Sequence, residues 1–260
     1  VHGIIQPIYS LSGFAVGLLV GLTGLGGGSL MTPLLVMVFG MHPSSAVGTD
    51  LLFASGTKLA GTATHGWRGS VEWRIVARMT AGSLPAAVAA LWFLAHHRNH
   101  LDDRHGVTTT VLAIALLATS ISILFRRYIL AGLADRVARL DHRLISVLTV
   151  ALGAIIGVMV CLSSVGAGAI GMPALILLYP NVPVARLVGS DIAYAVPLTL
   201  VAGLGHGVLG LVDLPLLASL LIGSVPGVII GGLLSSRSPD RVLRIILAAT
   251  LALVGGKLLT

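Results

Sequence analysis

GTDLLFASGTKLAGTATHGWRGSVEW, residues 48–73, and GSDIAYAVPLTLVAGLGHGVLGLVDL, residues 189–214, are two copies of one stretch. They align without a gap at an offset of 141, which is 189 minus 48. The alignment pairs Gly48 with Gly189, Asp50 with Asp191, His65 with His206, Gly66 with Gly207 and Gly69 with Gly210. It continues through Gly82 and Gly223, Ser83 and Ser224, and Pro85 and Pro226. Upstream, at offset 140, Gly26 pairs with Gly166, Gly28 with Gly168 and Pro33 with Pro173. An apolar chain produces chance matches of Val and Ala. It does not set Asp, His, Ser and Pro in register, so the chain is an internal duplication.

The copies sit in an unusually apolar chain. Of its 260 residues, 56% are hydrophobic and 10% are charged, and the mean hydropathy is +1.01. Soluble domains carry about 25% charged residues. Eight stretches have the length of a membrane span, about 20 residues: Ile4–Leu22, Val47–Thr64, Ile75–Ala95, Val107–Phe125, Leu144–Leu162, Leu187–Gly205, Leu214–Leu234 and Val242–Leu259. Two shorter ones, Ser29–Gly40 and Ala169–Tyr179, each follow a glycine cluster. The stretches are apolar all round rather than alternating, which predicts helices and excludes barrel strands. The first ten residues carry no Lys or Arg, so no cleavable signal peptide is expected.

Each half therefore reads as a long helix, a glycine break, a short helix and three more helices. If the short helix crosses, each half has an odd number of crossings and the second half is inverted. If it re-enters, the halves are parallel. The basic stretch 126–143, with Arg126, Arg127, Arg136, Arg139 and Arg143, is expected on the cytoplasmic side. Inversion then also puts Arg68, Arg74, Arg78, Arg186, Arg237, Arg241 and Arg244 inside; the parallel arrangement moves the last three outside. The expectation is an all-α polytopic membrane protein of two inverted-topology repeats. Each has about five helical segments, including a short glycine-interrupted helix. Residues 1–125 form the first repeat, 126–143 a basic amphipathic cytoplasmic linker, and 144–260 the second. Inverted repeats with broken helices at matching positions point to a secondary transporter.

Several functions are excluded or disfavoured. There is no GxSxG, HExxH or GxxxxGK[ST] motif, so neither protease nor ATPase chemistry is expected, and the chain reads as no enzyme. One cysteine, Cys161, rules out a disulfide framework and a Cys-rich metal site. No cofactor and no metal are expected. The net charge of +7 reflects arginines at cytoplasmic loops rather than nucleic-acid binding. The partners expected are the lipid bilayer and a small anion.

GLTGLGGGSLMTPLL, HPSSAVGTDLL, HGWRGSVEWRI and GSLPAA resemble the first half of the TauE/SafE family. SVGAGAIGMPAL, VGSD, HGVLGLVDL and GSVPGVIIGG repeat the pattern more loosely. The resemblance covers nearly the whole chain. It implies a transporter of sulfite or of organosulfonates such as sulfoacetate, often an exporter, in the cytoplasmic (inner) membrane. A passive anion channel is the alternative.

Glycine lets the main chain approach a ligand, and the free N–H groups at a helix start favour anions. The expected substrate site therefore lies between the glycine breaks. It draws on Thr23, Gly26, Gly27, Gly28 and Ser29 from one break. Ser163, Gly166, Ala167, Gly168 and Ala169 come from the other, with Thr49, Ser190 and Lys58 nearby. Lys58 has no counterpart in the second half, where Thr199 stands. It suits an anionic substrate, or an ion pair with Asp50 or Asp191. Asp50 and Asp191 read as N-caps of their helices, or as coupling groups. His65 and His206 read as helix-end residues, or as a proton relay.

Overall fold

The computed structural model describes residues 7–23, 28–66, 71–96, 140–165 and 167–234, with isolated positions between 110 and 137 and residue 256. Among the described residues there are eight α-helices, one π-helical turn and no strand. The first half contributes α1 (Pro7–Thr23), α2 (Gly28–Met37), α3 (Pro43–Gly66) and α4 (Trp73–His96). The second contributes α5 (His142–Ser163), a π turn (Ala167–Gly171), α6 (Met172–Leu178), α7 (Val184–Val208) and α8 (Leu214–Leu234). The expected spans Val107–Phe125 and Val242–Leu259 and the linker 126–143 fall largely outside the described residues.

The helix ends follow local chemistry. Pro7 and Pro43 open α1 and α3, where a missing N–H costs nothing. Asp141 caps α5 by accepting from the His142 N–H at 2.8 Å. Asp213 caps α8 by accepting from the Leu216 N–H at 3.0 Å. Ser164 ends α5 in the left-handed conformation, with φ 57°, and its N–H donates to the Val160 carbonyl at 2.7 Å. Gly40 and Gly210 take positive φ in the turns after α2 and α7.

Polarity is distributed inside out. Trp92, Val147, Leu204 and Leu233 are exposed, whereas Asp50, Lys58, Asp191 and His206 are buried. Helices α4, α5, α7 and α8 each contain a stretch long and apolar enough to cross a bilayer. Buried ionisable groups beneath an apolar exterior are stable in lipid and unstable in water. The chain is a polytopic membrane protein. Helix α3 also has spanning length, 24 residues or about 36 Å, but Asp50 and Lys58 lower its hydropathy.

Two helix pairs carry the packing, and they are equivalent. Helix α1 lies along α8: a Cβ on Gly13 would strike the Leu220 backbone, and one on Gly17 the Ser224 backbone. Helix α5 lies along α4 in the same way, with Gly153 against Met79 and Gly157 against Ser83. Subtracting 140 from 153 and 157 returns 13 and 17; adding 141 to 79 and 83 returns 220 and 224. Contacts thus map onto contacts, residue for residue. The first helix of each half is seated on the last described helix of the other. The spacing Gly13–Gly17–Gly21 meets Gly223–Gly227–Gly231, and the absent side chains let the two backbones touch.

The equivalent helices α3 and α7 pack against each other and run in opposite directions. Gly48, near the start of α3, is pressed against the His206 Cβ near the end of α7. At the same end the Thr49 hydroxyl accepts from the Asp213 N–H at 3.0 Å. At the other end, where α7 begins, the Ser190 hydroxyl accepts from the Glu72 N–H at 2.8 Å. These two hydrogen bonds are themselves equivalent, since 49 and 72 plus 141 give 190 and 213.

Candidate functional site

The crossing of α3 and α7 buries the ionisable groups that the duplication singled out. Asp50 is 0% exposed, Asp191 4% and Lys58 5%. Charges in a span persist where a partner or a cavity meets them. Lys58 lies in the electrostatic field of Asp191 and of Asp50, yet among the described residues it forms no ion pair with either. It sits in the second half of α3, eight residues after Asp50.

The two acids are handled differently. Asp50 Oδ2 accepts from the Thr32 N–H at 3.0 Å and from the Thr32 hydroxyl, which ties α3 to the short helix α2. Ser164 faces the same carboxylate from the left-handed cap of α5, but its Oγ and Asp50 Oδ1 complete no hydrogen bond. Asp191 points at the π turn instead. Its Oδ1 lies 3.0 Å, and the Tyr194 hydroxyl 3.1 Å, from where a Cβ on Gly171 would be. Both of those oxygens are buried without a hydrogen-bond partner.

Helix capping is thereby corrected for both acids. Helices α3 and α7 start at Pro43 and Val184, so Asp50 and Asp191 each lie seven residues inside. Free N–H groups end after the first turn, and a carboxylate that deep finds none to cap on its own helix. Among the other expected site residues, Thr49 and Ser190 have their hydroxyls engaged by the loops before α8 and α4. The Ser163 hydroxyl donates to the Met159 carbonyl at 2.6 Å and accepts from the Val165 N–H at 3.3 Å. Ala167, Gly168 and Ala169 form the π turn itself, Thr23 closes α1, and Gly28 and Ser29 open α2. Gly26, Gly27 and Gly166 lie outside the described residues, as does the side chain of His65. His206 is buried, with Nδ1 2.9 Å from the Ala202 carbonyl, and so serves its own helix end.

Sequence reasoning passed over Thr32, Ser164, Gly171 and Tyr194. One signal was available: Tyr194 follows Asp191 by three residues, which places both on one helix face. Thr32 and Ser164 reach Asp50 only through the tertiary fold.

The two ends of the α3–α7 pair differ. At one end Arg186 pairs with Glu72 at 3.7 Å. There too, Arg78 donates to the Tyr179 hydroxyl at 3.0 Å, and that hydroxyl meets Thr149 at 2.8 Å. At the other end the equivalents of Arg186 and Glu72 are Ser45 and Asp213, and they line a surface cavity of about 560 Å³ with Met41, His42 and Pro215. The equivalents of Tyr179 and Thr149 are Phe39 and Tyr9, whose rings meet edge to face at 4.7 Å. Among the described residues, one end carries Arg78, Arg186 and an ion pair, and the other carries Asp213 and a surface cavity.

The chain matches the family described as "Sulfite exporter TauE/SafE" over residues 9–258. It is 38% identical over 252 residues to the "Probable membrane transporter protein YjnA" of Bacillus subtilis (strain 168), covering 96% of this chain and 98% of that one. It is 27% identical over 248 residues to the "Probable membrane transporter protein YdhB" of the same organism, covering 93% and 95%. A "Probable membrane transporter protein" of Xylella fastidiosa (strain 9a5c) is 29% identical over 231 residues, covering 87% of this chain and 83% of that one. No solved structure matches the chain. The chain belongs to the TauE/SafE family, and these likenesses make it a membrane transporter.

Proposed function

We propose, from its membership of the TauE/SafE family, that the chain is a secondary transporter of a small sulfur-containing anion. Sulfite or an organosulfonate such as sulfoacetate is the cargo, moved outward across the cytoplasmic membrane by alternating access. The observation that carries this reading is the exchange of equivalent contacts between the halves. Helices α3 and α7 are counterparts, and they run in opposite directions. Counterparts that run oppositely favour inverted repeats, with residues 1–125 and 144–260 as the two units. Two such units can trade conformations, so that the site opens first to one side and then to the other.

The positive-inside rule assigns the end bearing Arg78 and Arg186 to the cytoplasm, together with the linker 126–143. The substrate site lies between the glycine breaks and the π turn. Lys58 is the cation that draws the anion there; the support is that it is buried and, among the described residues, forms no ion pair. The hydroxyls of Thr49, Ser163 and Ser190 keep this site's helix ends and loops in place, and their hydrogen bonds above are the support for that role.

The test is flux in proteoliposomes holding the full-length chain, with sulfite, sulfate, sulfoacetate, taurine and thiosulfate in parallel. Concentrative uptake of a sulfur anion that follows an imposed gradient is the expected result. Fast movement indifferent to any gradient identifies a passive channel instead. In the Lys58→Met variant, flux falls at least tenfold; unchanged affinity and rate in a well-folded variant remove Lys58 from the site.

A further inference from the structure

Comparing the two halves position by position sets apart one pair of unpartnered buried oxygens, Asp191 Oδ1 and the Tyr194 hydroxyl. Asp50 and Asp191 hold the same place in the repeat. Asp50 Oδ2 is held by Thr32, whose N–H and hydroxyl both donate to it, while Oδ1 has no partner. The counterpart of Thr32 at offset 140 is Met172, which has no hydroxyl to give. The counterpart of Phe53 at offset 141 is Tyr194, which adds a hydroxyl beside Asp191. The duplication has thus diverged in two linked places. One carboxylate has a side-chain donor beside it, and the other has a second oxygen in its place.

Asp191 Oδ1 and the Tyr194 hydroxyl converge on one point. Each lies about 3 Å from the Cβ position of Gly171, at 3.0 and 3.1 Å, and neither has a hydrogen-bond partner. Asp191 is 4% exposed and Tyr194 0%. Gly171 closes the π turn, and any larger residue would fill the space between the two oxygens. Single π turns widen a helix locally and recur at functional sites. Among the described residues, α5 brings the apolar Ile156 to this point, and Lys58 of α3 lies within electrostatic reach of Asp191 without forming an ion pair with it. A buried carboxylate and a phenol oxygen, with no cation in contact, form an oxygen-lined place for a small positive charge.

We propose that Asp191 and Tyr194, gathered at Gly171, bind the monovalent cation, proton or sodium, whose gradient drives the transporter. The proposal deepens the transport reading above and rests on it. Asp50 is then the structural copy and Asp191 the working one.

Two measurements on the full-length chain test it. The first is thermal stability of the detergent-solubilised protein, titrated with NaCl against choline chloride at fixed ionic strength, and separately with pH. Wild type gains stability saturably with one of the two cations, which identifies the cation. Asp191→Asn loses that response, and Tyr194→Phe needs about tenfold more cation for it, the loss of one charge-assisted contact. A response in Asp191→Asn equal to that of wild type overturns the assignment, as does a Tyr194→Phe variant with unaltered cation affinity. If Asp191→Asn does not fold, the Tyr194→Phe titration decides alone. The second is sulfite flux in wild-type proteoliposomes under imposed proton or sodium gradients. Sulfite movement indifferent to both gradients overturns the cation site and leaves transport standing. An Asp191-dependent cation response without sulfite movement keeps the cation site and refutes sulfite as cargo.

Discussion

The tie between Thr32 and Asp50 shows how one residue sets the value of another. A buried carboxylate without donors is costly, and Thr32 supplies two hydrogen bonds to a single oxygen. Thr32→Val keeps the shape and removes the hydroxyl. The backbone N–H still reaches Oδ2, so the expected outcome is a loss of about 0.5–1.5 kcal/mol, the net contribution of one hydrogen bond, read as a lower melting temperature in detergent. Unaltered melting would mean that the hydroxyl contributes nothing. Ser164 stands beside the same carboxylate with φ 57°, a backbone region that costs a residue with a Cβ about 1–2 kcal/mol. Ser164→Gly relieves that cost, and its melting temperature is expected to rise. A fall would show that the hydroxyl outweighs the strain.

Among the elements, α1 and α8 make the point that association in lipid depends on close approach. Lipid tails are as apolar as leucine, so apolar side chains gain little by pairing, whereas dispersion between touching backbones gains much. The Gly17 and Gly157 positions are counterparts, each facing a serine backbone. Gly17→Val and Gly157→Val are expected to destabilise to a similar degree, by about 1–3 kcal/mol or more, since they overpack equivalent seams. Gly232 meets nothing within 4 Å, and Gly232→Ala serves as the control, within about 0.5 kcal/mol of wild type. If the control falls as far as the seam variants, close approach is not the reason for the glycines. The short helices also become intelligible at this scale. Ten residues of α2 span about 15 Å, half of a hydrocarbon core about 30 Å thick, so α2 depends on α3 through Asp50.

Across the whole molecule, the ends of the α3–α7 pair are equivalent in sequence and unequal in contact. Glu72 and Arg186 meet at one end, while Asp213 and Ser45 line a cavity at the other. The ion pair is partly exposed, at 33% and 54%, and is worth at most about 1 kcal/mol of stability. Under the alternating access proposed above, its weight falls on the choice between the two conformations. Cross-linking Glu72→Cys to Arg186→Cys with a bifunctional, cleavable thiol reagent, in a Cys161→Ala background, is expected to arrest flux. Reduction restores it. Flux that persists in the cross-linked protein shows that this end does not move during transport.

Membrane residence, helical structure and duplication were all determined by the sequence alone, because each is written in local composition or in residues set in register. Where the residues are described, the span boundaries fell within a few residues of the helices for the same reason. The tertiary structure decided which residues meet. A helix such as α8 is apolar all round and carries no face that names its neighbour, so its pairing with α1, some two hundred residues away, could not be read off its pattern. The same holds for the polar groups. The sequence marked Asp50 and Asp191 as equals, and only the fold gave one of them Thr32 and left the other facing Tyr194 across Gly171. Periodicity records how a segment folds upon itself; a carboxylate's partners come from other segments, and those are brought near only by packing.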